Sequence, residues 1–128
     1  MKNILVTGGA GFIGTNFVYY ITGKGYNVTV LDKLTYAGGK DNLEPLIAAG
    51  KVRFVEGDIC DKDIVVSSLK GCDSVIHFAA ESHNTRSETD PDLFYRTNVH
   101  GTKVVLESAF EGGVKKFIHI STDEVYGS

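Results

Sequence analysis

Ile4-Leu5-Val6-Thr7-Gly8-Gly9-Ala10-Gly11-Phe12-Ile13-Gly14 begins as an apolar, β-branched run and breaks into glycines at 8, 11 and 14, spaced GxxGxxG. The apolar run reads as a strand. Beyond Gly14, Phe17, Val18 and Ile21 share one face of a helix over about Phe12 to Thr22, which Gly23 and Gly25 end. A glycine turn between a strand and a helix has a known physical use. Gly8 permits the tight turn, Gly11 puts no side chain in the way of a pyrophosphate, and Gly14 lets the helix pack closely on the sheet. The helix start then offers unpaired N–H groups and a positive dipole end to phosphate. Glycines needed for turn geometry alone would look the same locally, so the flanking sequence has to decide.

The second apolar run, Val28 to Leu31, ends on Asp32. A carboxylate there can accept hydrogen bonds from both hydroxyls of an adenosine ribose. It also repels a 2′-phosphate, which favours NAD over NADP. Lys33 partly offsets that repulsion. Three further runs, Val52 to Val55, Ser74 to Ala79 and Phe117 to Ser121, are short and nearly continuous rather than alternating. That pattern suits strands buried on both faces of a parallel sheet. Helix-length segments separate them: Asn42 to Ala49, Lys62 to Leu69 behind the N-cap Asp61, and Asp92 to Phe110 behind Pro91. The last carries Phe94, Val99, Val104, Val105, Leu106 and Ala109. Regular alternation of strand and helix predicts an α/β fold, a doubly wound, Rossmann-like parallel sheet of five strands in the order 3-2-1-4-5. After the third strand, Gly57-Asp58-Ile59 places Asp58 where it can reach an adenine amino group and Ile59 where it can pack on the ring.

The bulk composition agrees. Of 128 residues, 42% are hydrophobic and 23% charged, which excludes a disordered chain. Glycine occurs 15 times, above the usual share of about 7%, with no collagen-like period, so the excess serves turns and close approaches. The net charge is −3 with no basic stripe, against a nucleic-acid surface. No apolar run reaches membrane-spanning length and no signal peptide is apparent, so no membrane partner is expected. Two cysteines, Cys60 and Cys72, form neither a metal set nor a disulfide framework, and a cytoplasmic protein is expected. The four histidines share no metal-ligand spacing, so no metal is expected.

Several segments together resemble the extended short-chain dehydrogenase/reductases, and within them the dTDP-glucose 4,6-dehydratase group. They are Thr7 to Gly14, Asp32-Lys33-Leu34-Thr35-Tyr36-Ala37-Gly38, Gly57-Asp58-Ile59, His77-Phe78-Ala79-Ala80-Glu81-Ser82-His83, Thr97-Asn98-Val99 with Gly101-Thr102, and Ser121-Thr122-Asp123-Glu124-Val125-Tyr126-Gly127. The glycine loop marks only the superfamily. Thr122-Asp123-Glu124 is the more specific signal, because the sugar epimerases do not carry that acid pair.

The resemblance implies a bound NAD and a three-step reaction on a nucleotide sugar: C4 oxidation, loss of water across C5 and C6, and return of the hydride to give a 4-keto-6-deoxy sugar. It implies Asp123 as the acid for the departing C6 hydroxyl, Glu124 as the base for the C5 proton, and Thr122 as a hydrogen-bond partner near C4. Elimination needs one protonated acid and one ionised base, and neighbouring carboxyls in different environments can supply both. It implies Leu34 and Thr35 beside the cofactor with Asp32 and Lys33, Phe12 and Ile13 in the glycine loop, Phe78, Ala79, Ala80 and Ser82 as the nicotinamide wall, and Thr97 as a further cofactor contact. Asn84-Thr85 before Arg86 departs from the family's usual Val-Asp and bears on substrate choice.

The superfamily's Tyr-x-x-x-Lys pair belongs on the helix after the fifth strand. Tyr20 with Lys24 and Tyr36 with Lys40 copy its spacing in the wrong places. The chain therefore reads as the NAD-binding portion, residues 1–128, of a longer enzyme whose substrate-binding part lies outside it, and turnover by these residues alone is not expected. Other readings remain: a dehydratase or epimerase of a UDP-sugar, or a non-catalytic dinucleotide-binding module. The apolar residues Phe117, Ile118 and Ile120 on the last strand also predict self-association through that edge, which light scattering would reveal.

Overall fold

The computed structural model describes residues 2–33, 39–78 and 91–120, with side chains described for all of these except residues 12, 39 and 91–98. The strands are β1 (Asn3–Thr7), β2 (Asn27–Asp32), β3 (Val52–Glu56), β4 (Ser74–Phe78) and β5 (Lys116–Ile120). Between them run the helices α1 (Phe12–Gly23), α2 (Gly39–Ala48), α3 (Lys62–Leu69) and α4 (Pro91–Glu111). All five strands are parallel, in the order β3-β2-β1-β4-β5. This is the doubly wound, Rossmann-like order expected from the sequence.

Both faces of the central strands are buried, which explains their continuous apolar runs. On one face, Ile4, Val6, Val28, Val30 and Ile76 pack with Val18 and Ile21 of α1 and Leu43 of α2. On the other, Leu5, Leu31 and Val75 pack with Val65 and Leu69 of α3 and with Val104, Val105 and Ala109 of α4. Each such side chain removed from water contributes about 1.5–3 kcal/mol before conformational entropy is set against it.

One element reading needed correction. The second helix begins at Gly39, earlier than Asn42, and contains Pro45. Its first residues are polar, so apolar periodicity could not reveal them. In α4, Val99 and Leu106 are not core residues: they are 54% and 49% exposed. The inward stripe runs instead through Gly101, Val104, Val105, Ser108 and Ala109, at helical spacing. Phe94 lies among the side chains not described. Asp61 caps α3 as expected, its side chain accepting from the N–H groups of Asp63 and Ile64. Ala79 and Ser121 lie outside the described residues.

Candidate functional site

The carboxyl ends of β1 to β4 come together along one end of the sheet, and the expected cofactor residues that are described there include Gly8, Asp32, Asp58 and Phe78. Gly8 takes a left-handed conformation at φ 73°, and its N–H donates to the Leu31 carbonyl at 3.0 Å. That turn needs glycine. Gly14 has a different duty from the one expected. A methyl group on it would collide with the Gly8 carbonyl oxygen and lie 2.9 Å from Gly9 Cα. The limit comes from the loop folding back over α1, not from the sheet. Gly9 makes the close approach to the sheet, since a Cβ there would lie 3.0 Å from Val30 and 3.1 Å from Val6.

Gly11 is the N-cap of α1, in extended conformation, and no side chain caps the helix. Its carbonyl accepts from Thr15 N–H at 2.8 Å. Among the described residues, no side chain caps the first-turn N–H groups and no acidic residue occupies that turn, so these amides can serve an outside acceptor. Ile13, one of the expected contacts, is 60% exposed beside them. This arrangement suits a pyrophosphate: an open positive helix end under a loop without side-chain bulk.

Asp32 is only 5% exposed, and its Oδ2 accepts from Ala10 N–H at 2.9 Å. The same carboxylate expected to meet a ribose therefore also ties the glycine loop to β2. Sequence reasoning missed this, because an alanine amide leaves no trace in residue type. Lys33 Nζ pairs with Asp58 Oδ2 at 3.2 Å. Asp58 also accepts from Cys60 N–H at 2.9 Å. Burial works to raise the Asp58 pKa, but the Cys60 amide and the hydrogen bond and charge of Lys33 outweigh it and hold the carboxyl below its ordinary value. Ile59 lies against Gly101 of α4 and packs at the margin of the core.

At the end of β4, Phe78 packs edge-on against Phe17 with ring centroids 5.6 Å apart. One residue earlier, His77 is 1% exposed. Its Nδ1 hydrogen-bonds Thr7 Oγ1, and its Nε2 hydrogen-bonds Thr102 Oγ1 at 2.9 Å. Burial, together with the nearby His119 ring, pushes its pKa down to about 4, so it is neutral near pH 7. One ring nitrogen then donates and the other accepts. Residue type alone does not reveal this link: Thr7, His77 and Thr102 stand on three elements, β1, β4 and α4.

The structure thus brings together Gly8, Gly11, Phe12, Ile13, Gly14, Asp32, Lys33, Asp58, Ile59 and Phe78 at the ends of β1 to β4. Leu34, Thr35, Ala79, Ala80, Ser82 and the acid pair with Thr122 lie outside the described residues. Thr97 falls on α4, with its side chain among those not described. Of the decoy pairs, Lys24 stacks over Tyr20 at 5.3 Å at the far end of α1, away from this edge. Lys40 stacks over Phe54 at 5.7 Å. A cavity of about 400 Å³ opens at the opposite end of the strands, lined by Asn3, Asn27, Lys51, Arg53 and Lys70 among others, and contains none of the expected cofactor residues.

Comparison with known proteins follows the same lines. Residues 4–128 match the NAD dependent epimerase/dehydratase family. A dTDP-glucose 4,6-dehydratase of Streptomyces niveus is 52% identical over 98% of this chain, which spans 39% of that relative. The solved dTDP-glucose 4,6-dehydratase of Streptomyces venezuelae, with NAD bound, superposes with a TM-score of 0.87 at 48% identity, over 99% of this chain and 41% of that one. A UDP-glucose 4-epimerase of Thermotoga maritima is more distant, at 37% identity and a TM-score of 0.79 over 92% of this chain and 37% of the other. The chain spans about two-fifths of the relatives it matches. By its sequence and its fold, this chain belongs to the NAD-dependent epimerase/dehydratase family.

Proposed function

We propose that residues 1–128 form the NAD-binding part of a nucleotide-sugar 4,6-dehydratase acting on dTDP-glucose. The observation that carries the cofactor half of this reading is the uncapped start of α1 beneath the glycine loop, with buried Asp32 beside it. The amides of the first turn of α1 bind the pyrophosphate, and Asp32 orients the adenosine ribose while excluding a 2′-phosphate. Lys33, Leu34, Thr35, Asp58 and Ile59 enclose the adenosine end. Phe78, Ala79, Ala80, Ser82 and Thr97 border the nicotinamide end. NAD, when bound, supplies a hydride acceptor and donor at the sugar.

Identity near one half to dTDP-glucose 4,6-dehydratases supports the substrate half. The acid pair favours dehydration over epimerisation: Asp123 protonates the leaving hydroxyl, Glu124 takes the C5 proton, and Thr122 orients the sugar near C4. These 128 residues alone bind cofactor without turning over sugar, because no Tyr-x-x-x-Lys pair stands where hydride transfer needs it. Two cysteines, Cys60 and Cys72, that form no disulfide framework suit a cytoplasmic setting. Among the described residues, no helix is long and apolar enough to cross a membrane.

Calorimetric titration with NAD and with NADP tests the cofactor reading. NAD should bind at least about tenfold more tightly than NADP. Asp32→Asn keeps an oxygen for the Ala10 amide but loses the charge, so it should narrow that gap. Equal affinity for both cofactors in the unsubstituted chain would overturn the role given to Asp32. Product analysis with the longer protein tests the reaction: a 4-keto-6-deoxy sugar from dTDP-glucose supports it, and a C4 epimer from a UDP-sugar refutes it.

A further inference from the structure

The glycine loop, the end of β2 and the turn after β3 carry segments expected to touch the cofactor, and contacts through α4 and β4 join them into a closed ring. Ala10 N–H donates to Asp32 at 2.9 Å. Next along β2, Lys33 pairs with Asp58 at 3.2 Å. Beside Asp58, Ile59 lies against Gly101 of α4, so closely that a methyl group on Gly101 would overlap it. Thr102 follows Gly101 and hydrogen-bonds His77 Nε2 at 2.9 Å. His77 Nδ1 hydrogen-bonds Thr7, which leads into Gly8 and closes the ring.

The links are unequal. Lys33 and Asp58 are 52% and 37% exposed, so their pair is screened by water and holds loosely. His77 and Thr7 are both 1% exposed, and leaving either nitrogen of His77 unpaired in that setting would be costly. The buried side of the ring therefore sets its geometry. Thr102 sits on that side, and the resemblance gives it no ligand contact.

We infer that Thr102 is a positioning residue for cofactor binding: through His77 it fixes Thr7, and with it the glycine loop, relative to α4 and Ile59. The dinucleotide then meets a preformed site. A loop that had to order on binding would lose affinity to that ordering. The inference rests on the NAD reading above and goes beyond it, because it assigns affinity to a side chain to which the resemblance gives no ligand contact.

The test uses Thr102→Val, which keeps the shape and removes the hydroxyl. Thr102→Ser keeps the hydroxyl. Val65→Ala is the control: Val65 is fully buried on the inner face of α3 and makes none of the contacts that form the ring. Each variant is titrated with NAD and with ADP-ribose, well below its melting temperature. Thr102→Val should weaken both ligands about tenfold, the size expected when one buried hydrogen bond is lost. Thr102→Ser should bind within about threefold of the unsubstituted chain, and Val65→Ala should melt earlier with unchanged affinity. If Thr102→Val is too unstable to titrate, Gly101→Ala tests the adjacent link by displacing Ile59, and the same loss is expected. Unchanged affinity in these variants, or an equal loss in Val65→Ala, would overturn the inference. Failure of the unsubstituted chain to bind NAD would overturn the cofactor reading, and this inference with it.

Discussion

Gly14 has room for a hydrogen atom and nothing larger, because backbone atoms of Gly8 and Gly9 fill the space a methyl group would need. Backbone cannot turn aside as a flexible side chain can. Gly14→Ala should therefore cost about 1–3 kcal/mol in urea unfolding and lift the loop off the helix start. NAD titration of the same variant should show binding lost, while a variant that unfolds at unchanged urea would refute the contact. The glycine spacing was legible in the sequence, but the duties of the individual glycines were not. Gly9, outside the spaced triplet, makes the approach to Val6 and Val30. Such contacts depend on how the turn folds back over its neighbours, and one-dimensional spacing does not record that.

Helix ends were legible where a side chain does the capping. Asp61 precedes α3 and accepts from two of its first N–H groups, as its position suggests. Asp61→Ala should destabilise the chain by about 1 kcal/mol, measured as a shift in the urea midpoint at unchanged slope. A shift within error would mean that water replaces the cap without loss. The start of α2 was not legible, since Gly39, Lys40 and Asp41 carry no apolar pattern. The inward face of α4 was only half legible. Val99 and Leu106 are as apolar as Val104 and Val105, and only packing on α3 and the sheet decides which pair is covered.

At the scale of the whole molecule, buried neutral His77 makes stability depend on pH. Its pKa falls from 6.5 to about 4 on folding. Between those values the unfolded chain binds a proton that the folded chain refuses, so stability declines as pH falls from 6.5 to 4. The loss across that window should reach roughly 3 kcal/mol. Among the described residues, His119 is the titratable group facing the ring, at 5.1 Å between centroids. Asp73 adds a separate loss at lower pH: the Asn3 and Lys2 amides hold its pKa at about 2, against 3.8 ordinarily. Urea unfolding between pH 4 and 7 should show the upper phase, and His77→Gln should flatten it. A slope that survives the substitution would assign the phase elsewhere.

The sequence by itself determined the alternation of strand and helix, the sheet order, the glycine turn and the acid at the end of β2. These follow from local residue chemistry: periodicity, turn glycines, and the handedness of parallel connections. Tertiary structure alone decided that Asp32 holds the glycine loop, that Lys33 is drawn to Asp58, and that His77 joins Thr7 to Thr102. Each joins groups far apart in the chain, brought within hydrogen-bond reach only by the stacking of the strands and the seating of α4. A residue's type fixes what it can bond, and the fold fixes which partner it meets.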